Sequence, residues 1–295
     1  MAQPILRFVF TIIAAVGIAI LWFFSFQNAV WADDKPKRVV AIGGSVTEII
    51  YALGEQDRLI ARDATSVFPK QATELPSVGY IRRLSPEGVL SVDPDLIIAL
   101  DGAGPPEAVD VLNSAGISLR TIPEVYNKKG IIAKIESVGD ALGASDKAKA
   151  IIASVEKDFD QLAKTTARLN TKKRVLFVLS AASGKILSSG TNTAANAIIE
   201  LAGGENIITA FEGYKALSDE AIITAAPDVI LMMDRGGNHA IDDEALLKHP
   251  AVALTPAART KSIVRMDGLY LLGFGPRTAR AALELSEALY AQETQ

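Results

Sequence analysis

The sequence contains no cysteine. That removes disulfides, thiolate nucleophiles, cysteine-ligated zinc and iron–sulfur clusters together, and with them any lipid attached through an N-terminal cysteine. Histidine is scarce as well, with only His239 and His249, so a histidine-rich metal centre and most histidine-dependent hydrolases are hard to assemble. Basic charge is not in surplus: 30 Lys and Arg stand against 34 Asp and Glu, for a net charge of −4. Nucleic-acid binders ordinarily carry a basic excess to neutralise phosphates, so no nucleic-acid partner is expected. Only one long apolar run is present, from Phe8 to Phe24.

That run is preceded by the single charge of Arg7 and followed by Val30-Trp31-Ala32 and then Asp33-Asp34. The pattern reads as a secretory signal peptide, residues 1–32, cut after Ala32. The competing reading is an anchor that is kept, because the run approaches the length of a membrane span. Cleavage would leave 29 basic and 34 acidic residues, a net charge of −5. An exported chain without cysteine and without a later apolar run suits a bacterial periplasm.

The 295 residues are 49% hydrophobic and 22% charged, which excludes disorder and low complexity and leaves room for about two domains. Short apolar strands alternate with helices. Arg38 to Ile42 is a strand, the turn Gly43-Gly44-Ser45 follows, and Thr47 to Leu53 has apolar residues on one helical face. Strands at Leu59 to Ala61, Leu96 to Leu100 and Ile117 to Ile122 and a helix at Glu107 to Ala115 continue the rhythm. It returns after residue 172 with strands at Arg174 to Leu179, Val229 to Met233 and Ser262 to Met266 and a helix at Thr193 to Leu201. Such alternation predicts an α/β fold with parallel sheets. Between the halves, Ala148 to Leu169 has neither Gly nor Pro and keeps apolar residues at helical spacing. The expectation is therefore an N-terminal α/β lobe over 33–140, a linking helix region over 141–171 and a C-terminal α/β lobe over 172–295. Two Rossmann-like lobes are joined by one long helix, with a ligand cleft between them.

The lobes share a signature. Ser85-Pro86-Glu87 and Ser218-Asp219-Glu220 each open a short helix, and Pro94-Asp95 and Pro227-Asp228 each precede a strand. Equivalent lobes thus carry Glu87 and Glu220 at equivalent helix starts. A carboxylate there is favoured by the helix dipole alone, while its repetition points to a pair of docking charges. Enzyme motifs are missing. Gly43-Gly44-Ser45-Val46-Thr47 is neither a dinucleotide fingerprint nor a nucleophile elbow, and Gly184-Lys185 lacks the hydroxyl residue of a P-loop.

Several segments are similar to a known family. Thr47-Glu48-Ile49-Ile50-Tyr51-Ala52-Leu53-Gly54 and Pro94-Asp95-Leu96-Ile97-Ile98 resemble the helical-backbone class of periplasmic binding proteins, which serve ABC importers of iron chelates and cobalamin. Val78-Gly79-Tyr80-Ile81-Arg82, Leu84-Ser85-Pro86-Glu87-Gly88, Met232-Met233-Asp234-Arg235-Gly236 and Leu269-Tyr270-Leu271-Leu272-Gly273-Phe274-Gly275-Pro276-Arg277 resemble its haem-binding members. The resemblance runs from residue 38 to about 290 and implies a periplasmic protein, not an enzyme, that captures haem b and delivers it to the permease of an ABC importer. A monomer is expected.

The same resemblance makes Tyr80 the axial ligand of the haem iron. A phenolate is a hard oxygen donor suited to ferric iron, and a cation such as Arg82 two residues on would favour the anion. Arg235 would pair with a propionate from the second lobe, a task for which a guanidinium is suited. Arg62 and Arg83 are weaker propionate candidates. His239 is a candidate sixth ligand, although a solvated loop residue is its better reading. Glu87 and Glu220 match positions at which this class docks on permease arginines. The alternatives are a siderophore or cobalamin carrier of a related importer and, in another class, a two-lobed α/β nucleotide-dependent transferase.

Overall fold

The computed structural model describes residues 35–182, 184–234 and 242–291. The expected signal segment, Arg235 and His239 lie outside the described residues.

The N-terminal lobe runs β1 (Val39–Ile42), α1 (Gly44–Ala52), β2 (Leu59–Arg62), the two-residue strands β3 (Gly79–Tyr80) and β4 (Arg83–Leu84), α2 (Pro86–Leu90), β5 (Leu96–Leu100), α3 (Pro106–Ser114), β6 (Ser118–Ile122) and α4 (Lys128–Ala141). β1, β2, β5 and β6 form a parallel sheet in the order β2-β1-β5-β6. The central strands β1 and β5 are continuous apolar runs because both faces are covered. Val40, Ile42, Ile97 and Ala99 pack on one side and Val39, Ala41, Leu96 and Ile98 on the other. The order reverses between β1 and β5, and in such a sheet ligands gather beyond the carboxyl ends of the strands at that reversal.

α5 (Ser145–Thr166) is the long linking helix, three residues earlier at each end than its sequence spacing suggests. Ala148, Val155, Phe159 and Leu162 are its buried stripe. Ion pairs tie it to both sides. Lys147 meets Glu55 at 2.6 Å and Asp160 meets Lys128 at 3.2 Å, while Arg280 reaches Asp158 at 2.8 Å.

The C-terminal lobe follows as β7 (Arg174–Ala182), β8 (Lys185–Ser189), α6 (Ala194–Leu201), β9 (Glu205–Asn206), β10 (Tyr214–Ala216), α7 (Asp219–Ala225), β11 (Val229–Asp234), α8 (Asp243–Leu247), α9 (Pro256–Thr260), β12 (Ile263–Asp267), α10 (Gly268–Leu272) and α11 (Thr278–Tyr290). Its sheet is β10-β8-β7-β11-β12, with β9 beside β7. β7, β11 and β12 are parallel, as the alternation predicts, but β8 and β10 are antiparallel. Sequence spacing misses this because β8 turns straight back on β7 through a glycine at positive φ, Gly184, and no helix intervenes. One apolar cluster continues from the N-terminal sheet through α5 into the C-terminal sheet and α11.

The repeated signature has a structural cause. Asp95 accepts the backbone N–H of Arg38 at 3.0 Å, and Asp228 accepts that of Arg174 at 2.9 Å. The arginines reciprocate: Arg38 donates to the carbonyls of Val92 and Asp93, and Arg174 to that of Ala225. Each lobe therefore uses one Arg and one Asp to lock a helix end to its first parallel strand.

Candidate functional site

Tyr80 stands on the hairpin made by β3 and β4, where it faces Arg83 in register. Val78, Ile81 and Leu84 are buried, while Tyr80 is 50% exposed and Arg82 and Arg83 are exposed. Burial of Val78, Ile81 and Leu84, every third residue, anchors the hairpin and leaves the tyrosine turned outward. Backbone bonds on both sides fix the hairpin: Ala64 N–H to the Gly79 carbonyl at 2.7 Å, Leu84 N–H to Gly104 at 2.7 Å, and Gly104 N–H to Ile81 at 2.8 Å. The iron-ligand candidate therefore sits on a pinned platform beside the loop that follows β5.

Arg82 leans across that loop and donates from Nη1 to the Gly102 carbonyl at 2.9 Å. Gly102 has φ +78, and a Cβ there would lie 2.5 Å from Arg82 Nη1. A glycine is favoured there both by the conformation and by the path of the guanidinium. The charge of Arg82 is felt by Glu124, by Tyr126 and, from the other lobe, by Tyr214. The sequence motif places it beside Tyr80; the fold also brings it to the lobe junction.

Arg62 has a different employment. Nη1 donates to the Asp63 carbonyl at 3.1 Å and Nη2 to Thr73 at 3.4 Å, so it braces the loop that leads to the hairpin. Glu87 and Glu220 begin α2 and α7, and Ser85 and Ser218 cap these helices by accepting the N–H of Gly88 and Ala221. The Ser85 hydroxyl also donates to Glu87 at 2.8 Å and holds its carboxyl below the usual range. Both carboxylates are exposed.

The glycine turn after β1 is fully engaged. Buried Asp63 accepts Gly43 N–H at 3.0 Å and the Ser66 hydroxyl at 2.7 Å on one oxygen, and Thr65 N–H and hydroxyl at 2.9 and 2.7 Å on the other. Gly44 N–H goes to the Thr65 hydroxyl at 3.1 Å. The amides that a phosphate would need at a helix start are occupied by an internal carboxylate and its hydroxyl partner.

Two further tyrosines meet the site, and neither carries a motif. Tyr126 follows β6 and packs edge-on against Phe274, with ring centroids 5.1 Å apart. Tyr214 in β10 packs edge-on against Phe177 at 6.3 Å, and its hydroxyl is held by Thr193 and the Ala195 backbone at the start of α6. Burial raises both phenols above their ordinary value, so both keep their protons at neutral pH. Isolated aromatics in loops give no sequence signal; only the fold puts them near Arg82.

Residues 39–269 match the periplasmic binding protein family. The chain belongs to that family. Among solved structures, the periplasmic heme-binding protein BhuT in complex with two hemes is 38% identical, with a TM-score of 0.83 over 86% of this chain and 98% of that one. The periplasmic heme-binding protein RhuT from Roseiflexus sp. RS-1, in apo form, is 36% identical with the same TM-score and coverage. A vitamin B12-binding protein of Vibrio parahaemolyticus is 26% identical over 89% of this chain and 92% of its own length. Family membership makes this chain a substrate-binding component for import, with a small-molecule ligand and a membrane permease as partners. The two lobes and linking helix are the fold of the family.

Proposed function

We propose that the protein binds haem b in the periplasm and hands it to an ABC importer. The observation that carries this reading is the pinned hairpin, which turns Tyr80 outward and sets Arg82 across Gly102, within the field of Tyr214 of the second lobe. Tyr80 ligates the iron through its phenolate. Arg82 and Arg235 contribute positive charge for the propionates, and Arg83 is a further propionate partner. Likeness above 35% identity to two heme-binding structures supports haem over other iron chelates. The protein arrives through the signal peptide of residues 1–32, works as a monomer without catalysis, and divides at about 140 and 172. Glu87 and Glu220 dock it on the permease.

Cobalamin is the second reading, favoured by the B12-binding relative. A corrinoid needs no phenolate, so one titration separates the two. Hemin added to the purified protein is expected to give a Soret band with the charge-transfer features of ferric phenolate, and Tyr80→Phe, which keeps the ring, is expected to lose those features and most of the affinity. Cobalamin binding without hemin binding would establish the second reading. An unchanged hemin spectrum in Tyr80→Phe would remove the tyrosine from the iron.

A further inference from the structure

The segment from Gly268 to Arg277 follows β12, and its last residue turns to the other lobe. Arg277 donates from Nε and Nη2 to both oxygens of Glu48 on α1, at 3.0 and 2.8 Å. The guanidinium stacks 3.4 Å from the Phe68 ring of the N-terminal lobe and 4.9 Å from the Tyr270 ring of its own. Glu48 is 6% exposed. Lys134 on α4 is 1% exposed, and its ammonium donates to the Phe274 carbonyl at 3.1 Å, to Glu124 at 2.7 Å and to Ser45 at 3.2 Å. Phe274 holds a left-handed backbone, φ +47, which is costly for a bulky residue and persists only where the surroundings enforce it. Missing side chains permit the close fit: a Cβ at Gly275 would lie 3.3 Å from the Glu48 carboxyl, and one at Gly44 would strike Leu269 at 2.4 Å.

Two ion pairs buried at a junction are not an efficient source of stability, because desolvation consumes most of their attraction. Their geometry is strict, however: a forked guanidinium on a carboxylate, and an ammonium fixed by two acceptors of its own lobe while it donates to the Phe274 carbonyl of the other, favour one relative placement of the lobes. We propose that Gly268–Arg277 is a strap across the lobe junction, with Glu48, Lys134 and Arg277 as fastening residues that set the width of the cleft. The linking helix restrains the lobes at one place and the strap at another. Because Lys134 also holds Glu124, which lies within the field of Arg82, the strap bears on the ligand side as well.

The absence of cysteine gives a clean test. Asp110→Cys and Thr224→Cys, both at exposed positions on opposite lobes, supply two spin-label sites, and dipolar distances are measured without ligand. The native background is expected to give one narrow distribution. Glu48→Gln and Arg277→Met, each close in shape to the residue it replaces, are expected to broaden it or add a second population. Arg277→Lys, which keeps the charge without the fork, should fall between, and it serves where Arg277→Met fails to fold. Distributions as narrow as native in folded Glu48→Gln and Arg277→Lys would overturn the strap, whatever the ligand is. Resting on the haem reading, a second arm follows hemin release from the same variants. Release at least fivefold faster with an unchanged Soret position is expected; a native release rate beside broadened distances would confine the strap to lobe geometry and overturn its bearing on the ligand.

Discussion

The Lys134 ammonium lies 2.7 Å from the Glu124 carboxylate, with the lysine side chain fully buried. Burial drives the lysine below and the carboxyl above their ordinary values, each opposed by the charge of the other. Removing one partner strands the second. Lys134→Met is expected to lower the unfolding free energy by about 3–5 kcal/mol. Lys134→Met with Glu124→Gln should recover a large part of that, because no charge is left unpaired. Urea unfolding of the native protein, Lys134→Met, Glu124→Gln and the double variant measures the coupling, and losses that simply add would show that the pair is not a unit.

Gly102→Ala probes the path of Arg82 rather than the core. The left-handed backbone penalises a Cβ by about 1 kcal/mol, and the new carbon displaces the guanidinium tip, which is flexible enough to move. The expected result is a small drop in melting temperature together with hemin affinity at least fivefold lower and an unchanged ligand spectrum. Native affinity in a folded variant would separate Arg82 from binding.

Docking is separable from capture. Glu87→Lys with Glu220→Lys changes two exposed residues at the starts of short helices, so folding and hemin affinity should stay near native. Transport through the cognate importer should fall sharply, each single reversal should do less harm, and the residual native docking should weaken with salt. Normal uptake by the double variant would reduce both carboxylates to helix-dipole partners.

Acid should loosen the attachment of α5. Burial alone would raise the Glu55 carboxyl, but hydrogen bonds from Lys147 and Arg58 and their charges outweigh it and hold the carboxyl below the usual range. A depressed carboxyl contributes stability that is complete above its unfolded value, about 4.3, and is lost as the pH falls through the folded one. Glu55→Gln should therefore cost up to about 1 kcal/mol at pH 7 and progressively less as the pH falls below the unfolded value. Denaturant midpoints for both proteins from pH 7 downward give the comparison; a gap that stays constant or widens as the pH falls would contradict it.

Local chemistry carried much of this protein in its sequence. Parallel strands buried on both faces are uninterrupted apolar runs, so Val39–Ile42, Leu96–Leu100 and Val229–Asp234 are legible one by one. The linking helix is legible as a long stretch without Gly or Pro, and the matched Ser-x-Glu and Pro-Asp pairs announce two equivalent lobes. Tyr80 and Arg82 are singled out as candidates by a family motif whose members are two residues apart. Contacts between distant residues are not written in any local pattern. Glu48 and Arg277 are separated by 229 positions and Lys134 and Phe274 by 140. Tyr126 and Tyr214 look like ordinary loop aromatics until the sheets bring them together. Periodicity and capping depend on neighbours in sequence, which is why strands and helices can be read from the chain. The strap and the second-lobe side of the site depend on where those elements pack, and only the tertiary structure decided that.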